Sequence, residues 1–259
     1  MSSQKFAGKV VIVTGSSSGI GQGIALLLAQ QGACVTIHGL PAQGLQETTD
    51  LLLSSGVIPE RIHQVLGDVS EHEVTQKLVD ETVDKFGKLD VIVNSAGTLS
   101  SHGRHPEDNF DRVFDVNVKS IMRLNSLAVP YLEKTEGTIV NVSSVGAMTV
   151  SEDTRYCMSK AALDHYMRHE AQALAHKGIR MNNLNPGFVH TNLLKESGMP
   201  ESRANKFRNG AVANTPLGRA GRPVDMANCV SFLASDEASF VTGVNLICDG
   251  GIRLGKYFQ

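Results

Sequence analysis

No stretch of the 259-residue sequence approaches the length of unbroken apolar residues that a membrane-crossing helix requires. The first residues, MSSQKFAGK, lack the apolar core of a signal peptide, so the expected compartment is the cytoplasm. There is no CxxC pair. Cys34, Cys157, Cys229 and Cys248 lie far apart, which argues for reduced thiols with mostly packing roles. A formal net charge of -2 gives no reason to expect nucleic acid or an anionic membrane as a partner. Repeats, low-complexity linkers and sharp shifts of composition are missing too. What remains is ordinary globular composition, 41% hydrophobic and 19% charged, at a length that suits one large α/β domain spanning 1–259.

Within this chain the segment TGSSSGIG, Thr14 to Gly21, raises the first question of chemistry. Taken alone it reads equally well as a flexible turn, because its glycines depart from GxGxxG and Ser/Gly runs are common in loops. Its flanks favour a phosphate cradle. KVVIVTG is a continuous apolar run suited to a parallel strand buried on both faces. Ile20, Ile24, Leu27 and Leu28 then recur at helical spacing, Gly32 stands at a C-cap, and CVTIHG reads as a second strand. Strand, glycine turn, helix and strand make the βαβ unit that a dinucleotide fingerprint needs. Small residues admit a pyrophosphate close to the backbone, and free N–H groups at the helix start favour its charge.

The alternation continues. IHQVLGDV is strand-like, EHEVTQKLVDETVDKFG an amphipathic helix and LDVIVNSAG another buried strand. Helical stretches follow around 107–134, then GTIVNVSS, a helix from about 156 to 177, IRMNNLNPG, and VNLICDGG as the last strand. The pattern predicts a single-domain, Rossmann-like α/β fold: a doubly wound parallel sheet with helices on both faces. In such sheets a ligand lies beyond the carboxyl ends of the strands. The stretches to inspect are therefore TGSSSGIG, GDV, NSAG, SSVG and NPG.

The segment YCMSKAA places Tyr156 and Lys160 four apart, on one face of a helix. A phenol titrates near pH ~10, and a neighbouring ammonium lowers that value. Such a tyrosine can exchange a proton with a carbonyl or alcohol oxygen near neutral pH. A surface Tyr and Lys on an amphipathic helix would show the same spacing, so the pair needs its context.

TGSSSGIG, GDV, NSAG, FDVNV, SS and YCMSK, in this order, resemble the short-chain dehydrogenase/reductase family, and NPG and VTGVNLICDGG extend the resemblance from about Gly8 to Gly251. The resemblance implies an NAD(P)-dependent oxidoreductase that moves hydride between nicotinamide and a secondary alcohol or ketone of steroid, retinoid or oxoacyl type. Tyr156 would be the acid/base, Lys160 would tune it and bond the nicotinamide ribose, and Asn117 of FDVNV would hold a water of the proton relay. Taken outside this set, Asn117 would read as an ordinary helix kink or cap residue. A serine at the end of IVNVSS would donate to the substrate carbonyl. Strand side chains alternate, so Ser143 and Ser144 cannot both face one ligand. Ser143 lies 13 positions before Tyr156, a spacing familiar in the family, but strand register points to Ser144.

For the cofactor the resemblance implicates Gly15, Ser16, Ser18, Gly19, Ile20 and Gly21 of the cradle. It also implicates Asp68 and Val69 beside the adenine, Asn94, Ala96 and Gly97 of NSAG, and Pro186, Gly187, Val189 and Thr191 around the nicotinamide. Asp68 could serve as a helix-start residue as well. Ser95 stands where the family usually has Asn. No acidic residue ends VTIHG to select NAD, and Leu40 replaces the arginine common in NADP-preferring relatives. With Ser16 and His38 as phosphate donors, the reading favours NADP and leaves NAD open.

The long polar segment at about 189–222, broken by Pro200 and Pro216, reads as an irregular closing lid, with Phe188, Leu193, Leu194, Met199 and Met148 as apolar contacts. His102 and His105 lie in a loop near the substrate mouth, and no metal site is expected. Cys157 is expected to face the helix interior. The partners expected are a small-molecule carbonyl or alcohol and, by the resemblance, further copies of this chain. Such a homodimer or homotetramer would use the 156–177 helix and the last strand at its interfaces. The rival reading is a non-catalytic dinucleotide-binding sensor or scaffold that retains the fold.

Overall fold

The computed structural model describes residues 4–255. Seven parallel strands form one sheet in the order β3-β2-β1-β4-β5-β6-β7. They are β1 Val10–Val13, β2 Cys34–Gly39, β3 Ile62–Leu66, β4 Val91–Asn94, β5 Thr138–Val142, β6 Arg180–Pro186 and β7 Asn245–Cys248. The strand order reverses between β1 and β4, so the crevice where a ligand settles opens at their carboxyl ends. This is the Rossmann-like doubly wound sheet that the alternation predicts.

The pleat of β1 shows why its run is continuously apolar. Val11 and Val13 point into one core, with Ile24 and Leu28 of α1 (Gly19–Gln30), Leu45 of α2 (Ala42–Ser54) and Val230 of α9 (Pro223–Ala234). Ile12 points into the other, with Leu78 of α3 (His72–Phe86), Leu124 of α5 (Ser120–Thr135) and Met167 of α6 (Thr154–Leu174). Both faces of the sheet are thus covered, as a parallel sheet requires.

Between α4 (Pro106–Phe114) and α5, residues Asp115–Lys119 form a π-helical turn, so the predicted 107–134 helix carries a local widening centred on Asn117. The segment expected to be irregular contains two helices, α7 (Leu193–Glu196) and α8 (Glu201–Asn214). Pro200 precedes α8 as its N-cap rather than breaking a helix. Among the described residues no helix is long and apolar enough to cross a membrane.

Buried amides tie the central strands together. Asn94, Asn141 and Asn183 stand opposite one another in register across β4, β5 and β6. Asn94 Nδ2 donates to Asn141 Oδ1 (2.8 Å), and Asn141 Nδ2 donates to Asn183 Oδ1 (2.9 Å). The row ends on Asp164 of α6, whose carboxylate accepts from Asn183 (2.9 Å), Asn185 (3.0 Å) and Asn245 (3.0 Å).

Candidate active site

One cavity of about 820 Å³ runs along the carboxyl ends of the strands. Its inner part is built on TGSSSGIG. Gly15 has φ +64°, and a Cβ there would lie 2.6 Å from the Ala96 Cα, so this turn tolerates only glycine. A Cβ on Gly21 would lie 2.3 Å from the Gly15 carbonyl oxygen. Helix α1 begins behind this turn with Ser18 as an N-cap whose side chain makes no capping bond, and no acidic residue sits in its first turn. The N–H groups of that turn are therefore left for an anion, which is the chemistry a pyrophosphate requires.

Gly15, Ser18, Gly19, Ile20 and Gly21 all line the cavity, with His38, Asp68, Val69, Ala96, Gly97, Ser144, Tyr156, Lys160, Pro186, Gly187, Val189 and Thr191. Three sequence candidates do not. The Ser16 hydroxyl is buried, donating to the Val13 carbonyl (2.8 Å) and accepting from the His38 N–H (2.9 Å). Asn94 gives its amide to the buried row described above and to Asn125. Asn117 is buried, with Nδ2 donating to Thr98 O and Ser159 Oγ (both 3.0 Å) and Oδ1 accepting from Thr98 N (2.8 Å). It nevertheless reaches the site from behind: a Cβ on Gly97 would lie 3.4 Å from Asn117 Oδ1 and 3.6 Å from Lys160 Nζ.

Asp68 accepts from Ser70 and pairs with Arg112 at 2.7 Å. Burial raises its carboxyl, but the bonds from Arg112 and Ser70 outweigh that and hold it below the usual range. It is not a cap of α3, which starts after Glu71. Ser17, Gly39, Leu40 and Gly67 also line the cavity, together with His38 and Asp68. Strand-end position alone pointed to them, whereas Arg112 comes from α4 and had no local signal.

His38 corrects the expectation of a phosphate donor. The ring is buried and turned under the cradle, with Nδ1 accepting from Gly15 N (3.4 Å) and Nε2 without a hydrogen-bond partner. Burial pushes its pKa from 6.5 to about 4, so it is neutral at physiological pH. A base whose folded value is depressed binds fewer protons than the unfolded chain, so stability falls as pH drops from about 6.5 to about 4. The loss should reach roughly 3 kcal/mol at the lower end. Denaturant melts at neutral and acid pH should show this component, and His38→Gln should remove it. An unchanged pH dependence in the variant would place the acid lability elsewhere.

The chemistry sits at the other end. Ser143 is buried, its hydroxyl directed at the Lys160 carbonyl (3.4 Å). Ser144 turns the opposite way: its hydroxyl accepts from Gly146 N (3.0 Å), and the residue lines the cavity together with Tyr156. Lys160 is buried one helical turn below Tyr156, donating to the Val142 carbonyl (2.8 Å), with Nζ 5.7 Å from the Tyr156 ring centre. The expected lowering of the phenol by this lysine is not found. Burial pushes Tyr156 up to about 12 against the opposing effect of the Ser144 hydroxyl, and burial pulls Lys160 down to about 8 against Asp164. Both shifts have one cause, enclosure beside the sheet, and it outweighs their mutual influence.

Asp153 caps α6, accepting from Tyr156 N (3.1 Å), and also takes Ser100 N and Oγ (2.8 Å each), fixing the loop after β4 against the helix that carries Tyr156. Cys157 faces Ser151 (3.0 Å) and Gly146, not the helix interior. Phe188, Leu193, Leu194 and Met199 line the outer cavity, whereas Met148 is exposed away from it. His102 lines the mouth and His105 caps α4.

A strand-end crevice with an anion cradle at one end and a serine–tyrosine–lysine group at the other defines an oxidoreductase of the dinucleotide-binding class. The profile of the family described as Enoyl-(Acyl carrier protein) reductase matches residues 15–253. The chain is 36% identical over 252 residues to 3-oxoacyl-(acyl-carrier-protein) reductase FabG of Thermotoga maritima, covering 96% of this chain and 99% of that one. Among solved structures, a short-chain dehydrogenase/reductase of unknown function from Caenorhabditis elegans with cofactor superposes with a TM-score of 0.92 at 37% identity, covering 96% and 97% of the two chains. A 7α-hydroxysteroid dehydrogenase complexed with NADH and 7-oxo glycochenodeoxycholic acid superposes with a TM-score of 0.86 at 32% identity, covering 96% of each. The chain belongs to the short-chain dehydrogenase/reductase family.

Proposed function

We propose that the protein interconverts a secondary alcohol and a ketone with a nicotinamide dinucleotide, Tyr156 exchanging the proton with the substrate oxygen. The observation that carries this reading is the grouping of Ser144 and Tyr156 on one cavity wall, with Lys160 enclosed behind the phenol ring. The dinucleotide would lie along Gly15–Gly21, Val69, Ala96 and Gly97, with its nicotinamide near Pro186, Gly187, Val189 and Thr191. When bound, it supplies or accepts the hydride. Ser144 holds the carbonyl oxygen beside the phenol. Lys160 keeps a positive charge below the phenol, and Asn117 fixes the backbone at Thr98 and the α6 side chain Ser159 around that lysine. Segment 189–222, through α7 and α8, closes over the substrate.

A phenol pushed up to about 12 is a proton donor at neutral pH, which favours carbonyl reduction as the working direction. Alcohol oxidation needs the phenolate. Its rate should climb with pH, toward about tenfold per unit above neutrality. Reduction should stay level until Lys160 loses its proton near 8. Steady-state rates in both directions from pH 6 to pH 10 check this. A level oxidation profile would mean that the phenol is already ionised.

The cofactor we favour is NADP(H). With Ser16 and His38 engaged internally, the support that remains is the lack of any carboxylate at the end of β2, where one would oppose a 2′-phosphate. Parallel titrations with NADPH and NADH, followed by nicotinamide fluorescence, test it. Tighter NADH binding reverses the choice, and binding of neither removes the oxidoreductase reading. The substrate class is a ketone on a mainly apolar skeleton of steroid, retinoid or oxoacyl type. A soluble homodimer or homotetramer of the cytoplasm completes the proposal, and sedimentation as a monomer would sink the oligomer.

A further inference from the structure

Three guanidinium groups line the outer cavity, and they are not equivalent. Arg203 of α8 pairs with Glu152 at 2.6 Å, and Arg208 pairs with Glu201. Arg155, half-buried in the first turn of α6, has neither an ion pair nor a hydrogen bond among the described residues. Its placement is electrostatically costly, because a cation near the N-terminus of a 21-residue helix opposes the helix dipole. The acid two residues before it forms no ion pair with it, and the oxygens of Asp153 are turned to Ser100 and the Tyr156 N–H.

The flanking segment has the same polarity. Residues 193–214 carry Lys195, Arg203, Lys206 and Arg208 against Glu196 and Glu201, a positive balance in a chain whose formal net charge is -2. With the two arginines paired, Lys195 and Lys206 remain without ion-pair partners. Glu196 lines the cavity too, its carboxyl raised by burial. Between these charges the wall is apolar: Phe188 and Phe207 meet edge to face, 5.8 Å between ring centres, beside Leu193 and Met199.

We propose that Arg155 docks an anionic group of the substrate, a carboxylate or a phosphate, so that the preferred carbonyl compound is an acid with an apolar body. The inference rests on the oxidoreductase reading for the carbonyl, but not for the anion site. A guanidinium fork suits either oxyanion, and its charge-assisted bonds are strongest where an apolar wall excludes water.

The test is a panel of medium-chain oxoalkanoic acids, their methyl esters and the matching phosphonates. Acids should exceed esters by about tenfold in kcat/KM, the scale of one charged hydrogen-bonded contact. That ratio should shrink as salt rises. Arg155→Gln should bring it near one by raising KM for the acid, and Arg155→Lys should keep part of it. Equal use of acids and esters by the wild type, or an equal loss of both in Arg155→Gln, overturns the proposal. The phosphonates tell whether carboxylate or phosphate is the better fit. Calorimetric titration with octanoate gives a readout independent of turnover: it should bind the wild type and fail with Arg155→Gln. If esters are reduced but octanoate does not bind, the anion site falls and the oxidoreductase reading stands. If octanoate binds through Arg155 but no carbonyl compound is reduced, the oxidoreductase reading falls and the anion site stands.

Discussion

Tyr156→Phe should lower kcat by on the order of 10³-fold, the range in which removal of a general acid falls, and leave dinucleotide binding in place. The substitution keeps the ring against Lys160 and deletes only the hydroxyl. It therefore removes the proton donor without opening a cavity. Single-turnover reduction and a fluorescence titration of the cofactor, run on the same preparation, measure the two quantities separately. Activity within tenfold of wild type would mean that water or another group delivers the proton. Loss of cofactor binding with turnover would mean that the phenol is structural. A wild-type protein that binds dinucleotide and turns over no ketone or alcohol would be the non-catalytic sensor.

The second large effect is on stability. Asp164 is buried and accepts bonds from three amides, Asn183, Asn185 and Asn245. Asp164→Ala takes the acceptor from all three donors, two of them on fully buried residues, each at a cost of about 1–3 kcal/mol, so a loss of roughly 4 kcal/mol is expected. In a chain of this size that corresponds to a drop in Tm on the order of 10 °C. Asp164→Asn keeps the shape and part of the accepting capacity, and should cost less. Differential scanning fluorimetry orders the two variants, and an alanine variant within 1 kcal/mol of wild type would show that the amides find other partners. The same change carries into the site. The Asp164 charge is what supports the Lys160 proton against burial, so without it the lysine should titrate further below 8 and the pH limb of reduction should move down with it.

Much of this architecture was legible in the sequence because parallel strands buried on both faces leave continuous apolar runs, and because the helices between them keep one apolar stripe. The pairing of Tyr156 with Lys160 was legible for a different reason: helix geometry alone puts the two on one face, and the pleat sends the hydroxyls of Ser143 and Ser144 to different partners. The side chains misjudged from sequence are those whose direction depends on distant partners. Ser16 and His38 sit in a cradle and at a strand end, yet the Ser16 hydroxyl turns to the His38 backbone and the His38 ring to the Gly15 N–H. Helix α8, ESRANKFRNGAVAN, buries only Ala204 and has almost no apolar stripe, so periodicity had nothing to detect. Arg112 reaches Asp68 from another element, a pairing no local spacing encodes.

The row of amides across β4, β5 and β6 has a consequence for how this sheet finds its alignment. Each of these strands carries one Asn on a shared rung, set among apolar neighbours such as Val93, Val140 and Leu184. Displacing β5 by one residue would bring Val140 or Val142 onto that rung and leave the carboxamides of Asn94 and Asn183 facing hydrocarbon, while the strand's whole apolar set changed faces. The three asparagines act like the notches of a key. An incorrect alignment is not slightly worse than the native one but separated from it by several broken bonds at once. Replacing Asn141 alone by an aliphatic residue leaves both Asn94 and Asn183 short of a partner inside the sheet, whereas replacing all three moves the loss to the ends of the row, at Asn125 and Asp164.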